Sequence, residues 1–128
     1  MQPLKLIAVI EDNRDNRLIM TELLREFYQV HEYQNGYEAL EGISQRHPDL
    51  VILDISLPGM DGPEVLLRIR ASVSLQDIPV IALTAHAMLG DREKYLSSGF
   101  DGYVAKPIID EKAFLALIQK YIEQPHQE

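Results

Sequence analysis

The 128-residue chain contains no cysteine and no tryptophan. Without thiols there is no disulfide framework, no zinc–thiolate site and no redox cysteine. No apolar run approaches the roughly 20 residues that a membrane-spanning helix needs. The start, Met1-Gln2-Pro3-Leu4-Lys5, lacks the apolar stretch of a signal peptide. Positive charge is also scarce: 12 Lys and Arg stand against 20 Asp and Glu, a formal net charge of −8. That balance argues against direct nucleic-acid binding and against an anionic membrane surface. Apolar residues make up 46% of the chain, which excludes disorder and fits one domain with a single core. A soluble cytoplasmic protein is the expectation.

The stretch with the most chemical content is Asp49-Leu50-Val51-Ile52-Leu53-Asp54-Ile55-Ser56-Leu57-Pro58-Gly59-Met60-Asp61-Gly62. Its apolar, β-branched run predicts a strand buried on both faces, closed by a Pro/Gly turn. Asp54 sits at the downstream end. Burying a lone carboxylate is costly without compensation, so a cation or hydrogen-bond donors are expected nearby.

The rest of the chain alternates in type. Leu6-Ile7-Ala8-Val9-Ile10 predicts a first strand, and Asp12 or Asn13 caps the helix after it. Ile19, Leu23 and Phe27, flanked by Met20 and Leu24, predict that helix's apolar stripe. Val30 to Tyr33 is a second strand, and Ala39, Leu40 and Ile43 mark a second helix ending near His47-Pro48. Pro63 opens a third helix, with Val65, Leu66 and Ile69 inward. Ile78 to Leu83 is the fourth strand, ending at Thr84, and a thin, charged fourth helix runs from about Met88 to Leu96. Gly102-Tyr103-Val104-Ala105 is the fifth strand, ending at Lys106-Pro107. Asp110 caps a last helix carrying Phe114, Leu117, Ile118 and Tyr121, and Gln124 to Glu128 is a polar tail.

Five strands alternating with five helices on short loops predict an α/β fold with a parallel sheet covered on both faces. Right-handed crossovers limit it to a doubly wound, flavodoxin-like sheet of order 2-1-3-4-5. In such sheets the site lies at the carboxyl ends of the strands, beside the switch between strands 1 and 3. Glu11, Asp12, Asp54, Thr84 and Lys106 meet there. Three carboxylates in one pocket repel, and a divalent cation resolves this; oxygen donors suit magnesium. Aspartate, magnesium, lysine and a hydroxyl describe a phosphoryl-acceptor site in which the carboxylate becomes an acyl phosphate. No evident base activates a hydrolytic water, apart from what Ser56 and His86 contribute. Taken singly, Asp12 is a helix cap, Lys106 a surface lysine, Thr84 a strand residue and Tyr103 half-buried core; Asp54 alone resists so plain an explanation.

Val9-Ile10-Glu11-Asp12-Asn13, Leu53-Asp54-Ile55-Ser56-Leu57-Pro58-Gly59-Met60-Asp61-Gly62, Ala82-Leu83-Thr84-Ala85 and Gly102-Tyr103-Val104-Ala105-Lys106-Pro107 resemble, in this order, the receiver domain of two-component response regulators. The resemblance covers about residues 5 to 122 and implies a single CheY-like receiver over 1–128. The segments Glu11 to Arg17 and Thr84 to Met88 look most like DivK-type single-domain regulators and receivers fused to hybrid histidine kinases. By that resemblance Asp54 takes a phosphoryl group from a phosphohistidine. Glu11, Asp12, Asp54 and the backbone carbonyl of Ser56 hold magnesium, with Glu11 acting through water and manganese able to substitute. Thr84 is the switch hydroxyl and Tyr103 the aromatic that turns inward behind it. Lys106 pairs with the phosphoryl oxygens, and its bond to Pro107 is expected to be cis. Ser56 and His86 occupy positions that tune the dephosphorylation rate. Glu11 stands where many receivers have Asp, a common variation. The output face is then the fourth helix, fifth strand and fifth helix. The implied partners are a histidine kinase or histidine phosphotransfer protein, docking at the first and fifth helices, and a downstream protein target. Ile19, Met20 and Leu23 are expected to be too buried to serve as contacts. No effector domain follows residue 122, so output is expected through other proteins, through a phosphorelay or from a parent protein.

Three rivals have specific weaknesses. A phosphatase of the haloacid dehalogenase type needs a second Asp two residues after the nucleophile, where this chain has Ser56, and a cap domain. A flavin module needs a hydroxyl- or glycine-rich phosphate loop where this chain has Glu11-Asp12. A degenerate receiver serving only as a scaffold is opposed by the full set of five site residues.

Overall fold

The computed structural model describes residues 3–85 and 91–123. Five parallel strands, β1 (Leu6–Ile10), β2 (Gln29–Tyr33), β3 (Leu50–Asp54), β4 (Val80–Thr84) and β5 (Gly102–Ala105), form one sheet of order β2-β1-β3-β4-β5. The helices are α1 (Arg14–Leu24), α2 (Gly36–Gln45), α3 (Gly62–Ala71), α4 (Asp91–Ser97) and α5 (Glu111–Ile122). The doubly wound order read from the sequence is the one observed.

Strands β1, β3 and β4 are buried along their whole length. That is why they are legible as unbroken apolar runs: a parallel strand between two helical layers has no solvent face. Side-chain alternation divides the core between the two sheet faces. Ala8, Ile10, Val51, Leu53, Val80 and Ala82 pack with α2, α3 and Tyr95 of α4. Ile7, Val9, Leu50, Ile52, Ile81 and Leu83 pack with α1 and α5.

Side-chain caps set where the helices begin. Asn13, Asn35, Asp61 and Asp110 each accept a hydrogen bond from the backbone N–H three residues on. Pro63 falls in the first turn of α3, as its lack of an N–H favours. Gly99 follows α4 with φ of 107°, a left-handed conformation that glycine adopts without strain.

The first helix differs from expectation. It ends at Leu24, so Phe27 lies beyond it, and its buried residues are Met20 and Leu24. Ile19 and Phe27 are about half exposed, at 49% and 51%. Leu18 and Ile19 are each about half exposed, so not every apolar residue of this helix faces the core. The helix thus presents part of its predicted stripe to solvent, and of the three residues thought too buried to dock, only Met20 is fully enclosed. The fourth strand begins at Val80, two residues later than read. The α4 expectation starting at Met88 falls partly on residues 86–90, outside the described residues.

Candidate functional site

The register brings the strand ends together. Ile10 pairs with Leu53 and Asp54 with Leu83, while Thr84 pairs with Ala105. Glu11 therefore follows β1 directly beside the end of β3, and Lys106 follows β5, its N–H donating to the Thr84 carbonyl at 2.9 Å. Carboxylate oxygens of Glu11, Asp12 and Asp54 all lie within 4.8 Å of one another. Glu11 and Asp54 are buried and Asp12 is exposed, so the cluster opens to solvent on the Asp12 side.

Lys106 supplies the compensating charge. Its Nζ donates to Asp54 Oδ2 at 3.0 Å and to Glu11 Oε1 and Oε2 at 3.3 and 3.4 Å. The other Asp54 oxygen, Oδ1, accepts the Ser56 backbone N–H at 3.1 Å. The Asp54 carboxylate is thereby held from both sides. Burial, followed by hydrogen bonding to Asp54, pushes the Glu11 carboxyl from 4.5 up to about 7; Asn16 and Lys106 pull against this. Burial alone depresses Lys106, but its hydrogen bond to Asp54 and the charges of Asp54 and Glu11 outweigh that and raise it above its ordinary value. The donor set is entirely oxygen, is acidic, and is open on one side. Those are the features a hard divalent cation that keeps some of its waters requires, so the residues present fit magnesium.

Three residues without an assigned role in the sequence reading take part. Asn16 donates from its amide to Glu11 Oε1 at 2.7 Å. Arg17 donates to the backbone carbonyls of Glu11 and Asp12 at 2.8 and 3.1 Å and pairs with Glu32 at 3.3 Å. Together they fix the turn that carries the two acids. Tyr95 of α4 makes a 2.9 Å hydrogen bond with Thr84 Oγ1. The sequence signal for Asn16 and Arg17 is their position in the first turns of α1, five residues after each acid. For Tyr95 it is a single aromatic in an otherwise charged helix.

Gly62 permits a close approach. Its N–H donates to the Ile55 carbonyl at 3.0 Å, and a Cβ there would collide with the Asp54 carbonyl oxygen and stand 2.8 Å from Ile55 Cα. The start of α3 is therefore packed backbone to backbone against the segment leaving Asp54. The Lys106–Pro107 bond is cis, as expected. Tyr103 is half-buried and packs against the α2/α3 core. Ser56 is exposed beside the acid cluster. His86 lies outside the described residues.

Comparison with known proteins points one way. Residues 7–120 match the family model of the response regulator receiver domain. The chain is 36% identical over 119 residues to the polar-differentiation response regulator DivK of Brucella ovis, covering 92% of this chain and 96% of that protein. Among solved structures it is similar to the receiver domain of the sensor histidine kinase PA1611 of Pseudomonas aeruginosa, with a magnesium ion coordinated in that protein's active-site cleft. The identity is 32% and the TM-score 0.84, over 94% of this chain and 98% of that one. A protein of Chloroflexus aurantiacus superposes with a TM-score of 0.88 at 25% identity, over 96% and 100% of the two chains. Family match, curated relatives and structural neighbours agree with the strand order and the acid cluster: this chain belongs to the response regulator receiver domains of two-component signalling.

Proposed function

We propose that the protein is a phosphoacceptor whose Asp54 takes a phosphoryl group from a phosphohistidine of a histidine kinase or histidine phosphotransfer protein. The observation that carries this reading is the arrangement of Lys106 over Asp54 and Glu11, with Asp12 completing an oxygen-donor cluster at the open end of the sheet. In the transfer, an Asp54 carboxylate oxygen attacks phosphorus, the P–O bond forms and the P–N bond to the imidazole breaks. Lys106 follows the charge from the carboxylate onto the phosphoryl oxygens, and the Ser56 N–H orients the nucleophile. Glu11, Asp12, Asp54 and the Ser56 carbonyl would hold magnesium, or manganese in its place, which when bound neutralises charge on the phosphoryl group. Ser56 borders the site and, with His86, sets how long the acyl phosphate lasts. The protein's own catalysis is limited to forming and losing that bond.

Phosphorylation adds a charge near −2 and strong acceptor oxygens. Thr84 moves to donate to them, Tyr103 follows, and the face made by α4, β5 and α5 changes its partners. An exposed Ile109, at 87%, beside the groove between β5 and α5 supports this as an output surface. Leu18 and Ile19, exposed between acidic Asp15, Glu22 and Glu111, support α1 and α5 as the surface for the phosphodonor. The receiver core spans about residues 5–122 in a single domain over 1–128, a reading supported by secondary structure running from Leu6 to Ile122. No helix among the described residues is long and apolar enough to cross a membrane, and we assign the protein to the cytoplasm.

The test is intact mass after incubation with magnesium and acetyl phosphate. A gain of one phosphoryl unit is expected in the wild type and none in Asp54→Asn or without metal. If the folded wild type also gains nothing from a phosphorylated histidine protein, the phosphoacceptor reading fails.

A further inference from the structure

The contact between Thr84 and Tyr95 joins two elements that the chemistry at Asp54 does not otherwise connect. Thr84 ends β4 and is 2% exposed; Tyr95 is the buried side chain of α4, at 7%. Their hydroxyl oxygens stand 2.9 Å apart inside the protein. The Tyr95 ring lies 6.4 Å from the Tyr103 ring at 43°, and 6.4 Å from Phe100 in an edge-on arrangement at 89°. One side chain therefore touches both the hydroxyl and the aromatic to which the switch is assigned. The flanking α4 residues Asp91, Glu93 and Lys94 are not buried, so among the described residues of this helix Tyr95 is the large side chain enclosed in the core.

We infer that Tyr95 is a positioning residue that latches Thr84 toward α4 and so sets the resting bias of the switch. This rests on the reading of Thr84 as the switch hydroxyl. A threonine hydroxyl has one proton. If Thr84 donates to Tyr95, that proton is committed; if Tyr95 donates, the threonine oxygen is held where the phenol can reach it. In both cases, turning Thr84 toward a phosphoryl group on Asp54 costs the bond in its present geometry. The same event loosens the buried anchor of α4. Phosphorylation at β3 is thus conveyed to α4 through this hydrogen bond, whose strength is part of what activation must overcome.

Tyr95→Phe removes the hydroxyl and keeps the ring packed against Phe100 and Tyr103. The probe is beryllium fluoride with saturating magnesium, an unreactive mimic of the phosphoryl group on Asp54, with binding followed by titration calorimetry. The expected result is binding about fivefold tighter in Tyr95→Phe than in the wild type, equivalent to about 1 kcal/mol. The urea midpoint of the variant is unchanged or lower. A merely structural role for the phenol would not tighten binding while leaving stability unchanged or reduced. Tyr95→Leu, which also lacks the hydroxyl, is expected to shift affinity in the same direction. Affinity within twofold of wild type, or weaker, in both variants overturns the latch while leaving the phosphoacceptor reading standing. A folded wild type that does not bind the mimic at all overturns the phosphoacceptor reading, and the latch falls with it.

Discussion

The two sides of Thr84 are built on different principles. Toward β1 and β3, the strands are buried throughout, and two enclosed carboxylates are held by Lys106, Asn16 and the Ser56 N–H. Toward α4, the described helix Asp91–Ser97 reaches the core through Tyr95, and its far end is tied down by Arg70. That guanidinium donates to the carbonyls of Gln76, Ile78 and Gly99 and pairs with Asp101 at 2.9 Å. One side is enclosed and electrostatically loaded, whereas the described part of the other is held by one buried phenol and a few polar contacts.

The contrast can be broken most forcefully at Lys106. Replacing it with methionine leaves Glu11 and Asp54 without their cation, and about 3–5 kcal/mol of stability should be lost in metal-free protein at pH 8. Urea denaturation at pH 8 and pH 5 checks this, since protonation of Glu11 at pH 5 should recover part of the loss. Equal losses at both pH values would mean that the lysine acts by packing.

Glu11→Gln tests the same centre with the opposite sign. The folded chain holds the Glu11 proton up to about pH 7, whereas an ordinary carboxyl releases it near 4.5. The stability this group contributes is complete below pH 4.5, declines as pH rises and is gone above about 7. Metal-free Glu11→Gln should lack that decline and, at pH 8, exceed the wild type by on the order of 2–3 kcal/mol. The same titration makes magnesium binding to the wild type weaken as pH falls below 7, which calorimetry at pH 6 and 8 would register.

On the α4 side the effects should be smaller and insensitive to pH in this range. Arg70→Met removes the guanidinium contacts and should cost about 2 kcal/mol, with faster amide exchange around Gly99 and Asp101 than elsewhere. Smallest is Asp110→Ala, which removes the cap of α5, the helix behind β5. About 1 kcal/mol is expected, read as a shift of the urea midpoint without a change in slope.

The strand order and the five residues at the carboxyl edge were legible because each depends on local signals. Buried parallel strands are apolar runs, and the residue after each run falls at the open edge. Asp54 was legible for the opposite reason, as a charge that local structure does not require. The orientation of α1 was not, because Leu18 and Ile19 are apolar yet face outward, and periodicity alone assigns apolar residues to the core. Tyr95 and Arg70 were not legible either. Their partners lie 11 and 31 residues away in other elements, and only the packed structure brings a phenol to Thr84 or a guanidinium to Asp101.

The bare α-carbon at Gly62 has a mechanical meaning beyond its tight fit. Because α3 abuts the chain leaving Asp54 with no side chain between them, that contact has no soft layer to compress. It acts as an abutment behind Asp54. A side chain at position 62 would push α3 away from the chain that leaves Asp54, so the seating of that helix against the site depends on a missing methyl group.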